Sequence, residues 1–327
     1  MFGGRIMWIP SIGESFLEEI APFLESIAPC MPGEIFPSFF TLTLLQRGLV
    51  AAVMVTVVSA FLGCFLLIRN LALIGDGLAH VSFGGIAVGI VLGATSPLWY
   101  ALFFSITAAV LIHELQARDI LTGDASIAIF STGMLAMGLV ALRLEVTFYL
   151  PLIGTIELTQ VGITNTVESY LYGNLYILRP IDLDLITWIC LISFIVLFVL
   201  RHALLAIAVD PLAAKIQGLP VRAIGLLFSV LIAAVVTAMV KIIGALLVTA
   251  LLVTPAATAQ LLGRSYRECI LYSQLFGLVS VILGIYLSAE LDTGSSMIAL
   301  VSACIFGVVA ITQIIIKSIL NRNQNLN

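Results

Sequence analysis

The segment LIGDGLAHVSFGGIAVGIVLG, residues 73–93, places Asp76 and His80 four positions apart inside a long apolar run. On a helix, residues at i and i+4 lie one above the other with Cβ atoms about 5–6 Å apart, so the carboxylate and the imidazole share a face. Both are ligands for a divalent ion such as Mn, Zn or Fe. Two ligands are too few to grip an ion tightly, which suits a site that must release it, and a two-fold axis between copies would bring two such pairs together. The same residues admit a proton relay. They also admit a plainer arrangement, in which Asp76 is the N-cap of a helix opening at GDGLAH and His80 meets one local hydrogen bond. An ionised aspartate near mid-bilayer costs about 2.5–3.5 kcal/mol on insertion scales, so a partner, a cation or water must offset it. Gly84 continues the Asp76–His80 face and leaves space beside the pair. Gly85, Gly89 and Gly93 form a neighbouring stripe that lets another helix backbone approach closely, by packing or gating.

The elements that hold this pair are membrane spans. Of 327 residues, 61% are hydrophobic and 10% charged, against about 25% charged in a soluble domain. The fold class expected is all-α: a polytopic membrane protein of about eight to nine transmembrane helices. A bilayer crossing takes about 20 apolar residues, and the candidates are 47–68, 71–93, 97–117, 125–145, 183–203, 222–240, 242–262, 268–288 and 296–317. The sixth and seventh form one apolar stretch interrupted at Lys241 and Gly244, too long for one crossing, so a tight hairpin is expected there. Cytoplasmic loops collect Lys and Arg. With loop 201–222 inside, alternation puts Arg69, Arg118, Arg201, Lys215, Arg222, Arg264, Arg267, Lys317 and Arg322 inside, and Arg5, Arg47, Arg143, Arg179 and Lys241 outside. Nine spans, with the N-terminus out and the C-terminus in, satisfy that bias.

The chain divides into an acidic amphipathic extension (1–40), a transmembrane domain (41–320) and a polar tail (321–327). In the extension, Ile12, Phe16, Ile20, Phe23 and Ile27 recur at helical spacing with Glu14, Glu18, Glu19 and Glu25 on or near the other face, which predicts a short helix lying on the outer membrane surface. MFGGRIMWIP has no signal-peptide pattern. ESYLYGNLYILRP, within 146–182, predicts a short interfacial or re-entrant helix. The five cysteines, at 30, 64, 190, 269 and 304, form no CxxC pair and suggest neither a disulfide framework nor a zinc knuckle. His113 and His202 sit at inner span ends, where polar tips belong. No basic patch marks nucleic acid as a partner; membrane lipid is the expected surrounding.

Between the fifth and sixth spans, AVDPLAAKIQGLPVRAIG (207–225) pairs Asp210 with Pro211 as a helix start. It then runs past Ala214 to Gly218 and Pro220 as a helix end. Such a helix at the inner surface either is an ordinary loop or transmits a push from a soluble partner. In GALLVTALLVTPAATAQLL (244–262), Pro255 kinks the span because its ring removes a donor and clashes one turn back, as a packing feature or a moving gate. No GxxxxGK[ST], GxSxG or HExxH occurs, so nucleotide binding and hydrolysis lack their usual signatures. Uphill transport would draw its energy from another subunit or from an ion gradient.

Six segments together resemble the integral permease subunits of ABC importers for zinc, manganese and iron. They are LIRNLALIGDGLAHVSFGGIAVG, GDASIAIFSTGMLAMGLV, YLYGNLYILRPIDL, AVDPLAAKIQGLPV, GALLVTALLVTPAATAQLL and SAELDTGSSMIAL, in the family's order over roughly 45–315. The acidic extension is outside the usual pattern. The resemblance implies a multi-pass chain in the bacterial cytoplasmic (inner) membrane that is not itself an enzyme. Its partners would be a cytoplasmic ATP-binding subunit, a second permease subunit (homo- or heterodimer) and an extracytoplasmic metal-binding protein. A divalent metal would be the transported substrate, with no tightly bound cofactor. Asp76 and His80 match the family's metal pair, and 210–219, with Asp210, Pro211, Ala214 and Gly218, matches its ATPase-coupling loop. A gradient-driven metal transporter and a membrane-embedded metalloenzyme are the alternatives.

Overall fold

The computed structural model describes residues 12–143, 149–150, 154–155, 169–173, 175 and 178–324. In chain order the helices are α1 (Ile12–Ile27), α2 (Ser38–Thr41), α3 (Thr43–Ile68), α4 (Ile74–Val91), α5 (Leu98–Ala117), α6 (Gly123–Arg143), α7 (Pro180–Val209), α8 (Pro211–Ile216), α9 (Val221–Ile242), α10 (Val248–Leu252), α11 (Thr254–Leu262), α12 (Tyr266–Leu291) and α13 (Ser296–Gln324). Among the described residues the only strands are the two-residue pair Tyr149–Leu150 and Gly154–Thr155, joined antiparallel. Eight helices are long and apolar enough to span a bilayer: α3, α4, α5, α6, α7, α9, α12 and α13. The protein is therefore all-α and polytopic.

The three most enclosed spans are α3, α4 and α9, and the two least enclosed are α6 and α13. The core is an aliphatic mass in which Phe65 meets Phe228 of α9 and Tyr266 of α12 edge-on or tilted. Helix α4 is thin because of its glycines. A Cβ built at Gly84 would lie 2.5 Å from the carbonyl oxygen of Met134 in α6, and one at Gly138 would lie 2.9 Å from Gly84 Cα. The face expected to leave space beside Asp76 and His80 is thus filled, at Gly84, by the α6 backbone. Gly85 and Gly89 instead abut α5, with Ala101 Cα 2.9 Å and Pro97 Cα 3.1 Å from their built Cβ positions. Gly93 leaves that stripe. It follows the helix in the left-handed region at φ +67°, where Ala94 N–H donates back to Gly89 O, a glycine-terminated helix end.

The seventh expected span is not one helix. After α9 the chain turns at Gly244 (φ +98°), whose missing side chain admits Leu171 and Tyr172. It returns as the short α10 and α11. Pro255 does not bend the middle of a span; it stands in the first turn of α11, after the break at Val253, where its missing N–H is free of cost. The return still restores alternation. Gly244 sits beside Tyr172, whereas Ala259 clusters with Cys64 and Cys269 near the opposite ends of α3 and α12.

Helix α1 forms within the acidic extension. Its buried residues are Gly13 and Leu17, while Phe16 and Phe23 are exposed. The cause is a polar anchor: Asp184 of α7 accepts from Gly13 N–H (2.9 Å) and Glu14 N–H (3.4 Å), and Arg47 pairs with Glu14 at 2.8 Å. These bonds satisfy helix-start donors and fix which face turns inward. Of ESYLYGNLYILRP, part lies outside the described residues; Ser169–Leu171 is helical.

Candidate functional site

Asp76 lies in the first turn of α4 and His80 one turn later. The cap position belongs to Leu73, with no side-chain hydrogen bond, so Asp76 is not the N-cap. Its place is also not mid-span. The α4 start lies at the same end of the bundle as the Arg69 corner. The free amides of the first turn create a field that favours a carboxylate there, which lowers the penalty expected for the span centre.

His80 Nε2 stands 3.7 Å from Asp76 Oδ2, with side-chain exposures of 21% and 44%. That is too long for a hydrogen bond, and His80 Nδ1 is buried with no partner. Two ligand atoms that each sit about 2.1 Å from one ion can lie up to about 4.2 Å apart. One divalent ion can therefore touch Nε2 and Oδ2 without moving the helix. Among the described residues no third His, Cys, Asp or Glu joins them. The pair lies on a face of α4 that the chain itself leaves partly open, next to α6, where Thr132, Gly133, Ala136 and Met137 are exposed. Gly85, Gly89 and Pro255 are elsewhere, at the α4–α5 contact and on α11.

The second candidate element is α8. Asp210 Oδ1 accepts from Leu212 N–H (2.9 Å) and Ala213 N–H (3.0 Å), and Pro211 opens the helix. Ala214 is buried and anchors it to the bundle. Gly218, at φ +84° with open space around it, lets Leu219 N–H donate to Ala214 O and close the end. Two turns are thereby held as a rigid unit that presents Leu212 (75% exposed) and Ile216 (87% exposed) outward. Neither apolar side chain is covered by the chain.

Two clusters escaped sequence reasoning. At the end opposite α8, Lys241 Nζ lies 3.4 Å from Asp182 Oδ2 and 3.2 Å from Tyr170 OH, while Ser96 Oγ donates to Asp182 Oδ1 at 2.9 Å. At the α8 end, Glu114 holds Arg118 at 3.2 Å and also Arg222. Apart from the i,i+4 pair Glu114–Arg118, their partners are far apart in sequence, and no spacing signals them. The thiols of Cys64 and Cys269 likewise meet at 3.7 Å between α3 and α12, although no local motif pairs them.

Known proteins resemble this chain over most of its length. The chain is 27% identical over 263 residues to "Manganese import system permease protein ScaB" of Streptococcus gordonii, covering 80% of this chain and 88% of that protein. It is 28% identical over 286 residues to "Chelated iron transport system membrane protein YfeD" of Yersinia pestis, covering 87% and 90%. Among solved structures, "PsaBC from Streptococcus pneumoniae in complex with Fab" superposes with a TM-score of 0.70 at 26% identity, over 83% of this chain and 92% of that one. Residues 41–313 match ABC-3, described as the ABC 3 transport family, so α1 falls outside the match and every spanning helix begins within it. By that match the chain belongs to the ABC 3 transport family.

Proposed function

We propose that this chain is the membrane permease of an ATP-driven importer of divalent metal ions and that Asp76 and His80 contact the ion in transit. The observation that carries the reading is the pair itself: a carboxylate and an imidazole 3.7 Å apart, neither capping the helix nor satisfied by a neighbour. Relatives whose names specify manganese and chelated-iron transport support the substrate class. With only two donors from one chain, the open α4 face suits completion by a second permease subunit across a two-fold axis, which would supply four. In this reading ATP hydrolysis belongs to a separate cytoplasmic subunit, in keeping with a sequence that has no phosphate-binding GxxxxGK[ST]. The rigid α8, with bare Leu212 and Ile216, is the surface that subunit would grip. An extracytoplasmic binding protein would deliver the ion at the Lys241–Asp182 end.

The test is uptake of radioactive manganese, zinc and iron by vesicles holding the permease with its ATPase. Losing one charged or polar ligand costs about 1.5–3 kcal/mol, roughly 10- to 100-fold in affinity. Asp76→Ala and His80→Ala should each weaken uptake by that order while ATP hydrolysis continues. Undiminished uptake in the double variant removes the pair from the pathway.

A further inference from the structure

The seam between α5 and α9 carries two cavities in line. At the α8 end lies one of about 710 Å³, walled by Arg69, His113, Glu114, Lys215 and Arg222, with apolar Leu219 and Leu226 beside them. Glu114 is already clamped by Arg118 and Arg222. Among the described residues Arg69 and Lys215 have no carboxylate within ion-pair distance; Arg69 rests on the Phe228 ring at 5.4 Å. His113 Nε2 is buried without a partner. Gly225 lets the His113 ring lie directly against α9, since a Cβ there would come within 2.8 Å of His113 Cε1. The cavity thus has a net cationic lining and unspent donors.

Farther along the same seam lies an apolar groove of about 450 Å³ between α5, α7 and α9, walled by Leu102, Ile106, Trp188, Leu227, Val230 and Ala234. The stripe of α5 that lines the groove, Leu102 and Ile106, continues at helical spacing to His113 in the basic cavity. On α9, Leu227 in the groove is one turn from Ala223 in the cavity. From His113 to Leu102 is about 16 Å along the helix at about 1.5 Å per residue, close to the roughly 15 Å of hydrocarbon in one leaflet of a 30 Å core.

We propose that this seam holds one anionic phospholipid, with its phosphate between Arg69, His113 and Lys215 and an acyl chain in the groove against Ile106 and Leu227. Charge complementarity argues for an anion, and the apolar groove in register with the cationic recess argues for an amphiphile rather than a free ion. Basic pockets between spans at the cytoplasmic face are a recurrent means of holding anionic headgroups. Only the leaflet, the cytoplasmic one, rests on the permease reading. Because Lys215 belongs to α8, the bound headgroup would tie the coupling helix to the α3–α4 corner.

Native mass spectrometry of the permease–ATPase complex tests this. The delipidated complex is offered phosphatidylglycerol, phosphatidylcholine with the same chains, or inorganic phosphate. Expected is one retained phosphatidylglycerol per permease chain, with phosphatidylcholine retained at least fivefold less, and no displacement by phosphate. Arg69→Gln should lower retention about fivefold, as expected for one cation near an anionic lipid, and Leu227→Trp, which fills the groove, should lower it as well. Equal retention of both lipids by the unaltered complex overturns the proposal without recourse to a variant. Displacement by phosphate overturns it in favour of a free-anion site, and retention only when the ATPase is absent overturns it in favour of a protein contact. Asp76→Ala should retain the lipid, so a failure of the transport reading and a failure of this one give different results.

Discussion

The buried Lys241–Asp182 pair gives the sharpest energetic prediction. Asp182 is 2% and Lys241 11% exposed by side chain, with charges 3.4 Å apart. At an effective dielectric of about 20, that separation corresponds to about 5 kcal/mol of attraction, set against a desolvation cost of several kcal/mol per ion. Position helps both partners: Asp182 is in the first turn of α7 and Lys241 in the last turn of α9, the ends that favour each sign. Asp182→Asn keeps the shape and a polar contact for Ser96 but strands the ammonium in an enclosed site. Breaking a buried pair from one side costs about 3–5 kcal/mol, which lowers the folded-to-unfolded ratio by roughly two to nearly four orders of magnitude. Asp182→Asn with Lys241→Met removes both charges and should recover most of that loss. The assay is unfolding of the purified chain in detergent, followed by tryptophan fluorescence against denaturant or temperature. If Asp182→Asn unfolds with the unaltered protein, or if the double variant is no better than the single one, the charges are not coupled and the reasoning fails.

Gly84→Val should force α4 from α6, because the first added carbon already meets Met134 O at 2.5 Å; an overpacking cost of about 1–3 kcal/mol would appear as lower thermal stability of the purified chain. Gly218→Ala and Gly244→Ala separate backbone strain from crowding. Both glycines have positive φ, but Gly218 has open space while Gly244 abuts Leu171 and Tyr172. The former should lose about 1 kcal/mol, and the latter should fail to give a monodisperse protein on size exclusion. Asp210→Ala removes the α8 cap, worth about 1 kcal/mol; it should leave the bundle's unfolding temperature nearly unchanged while lowering uptake per ATP hydrolysed in reconstituted vesicles.

The sequence alone determined the class of fold and most of the spans, because long apolar runs have one stable solution in a bilayer: a helix that satisfies its own backbone. It also placed Asp76 beside His80 and framed α8 from Asp210-Pro211 to Gly218, since i,i+4 spacing, caps and left-handed ends are local properties. What it could not determine were contacts between residues far apart in the chain. Only the packed bundle sent Gly84 to α6 and Gly85 to α5, docked α1 on α7 through Asp184, and broke the 242–262 stretch at Gly244 and Val253. Only the packed bundle, too, joined Lys241 to Asp182 and gathered Arg69, His113 and Lys215 around one cavity. Periodicity identifies which residues share a face; which neighbour that face meets is set by close packing among all the helices at once.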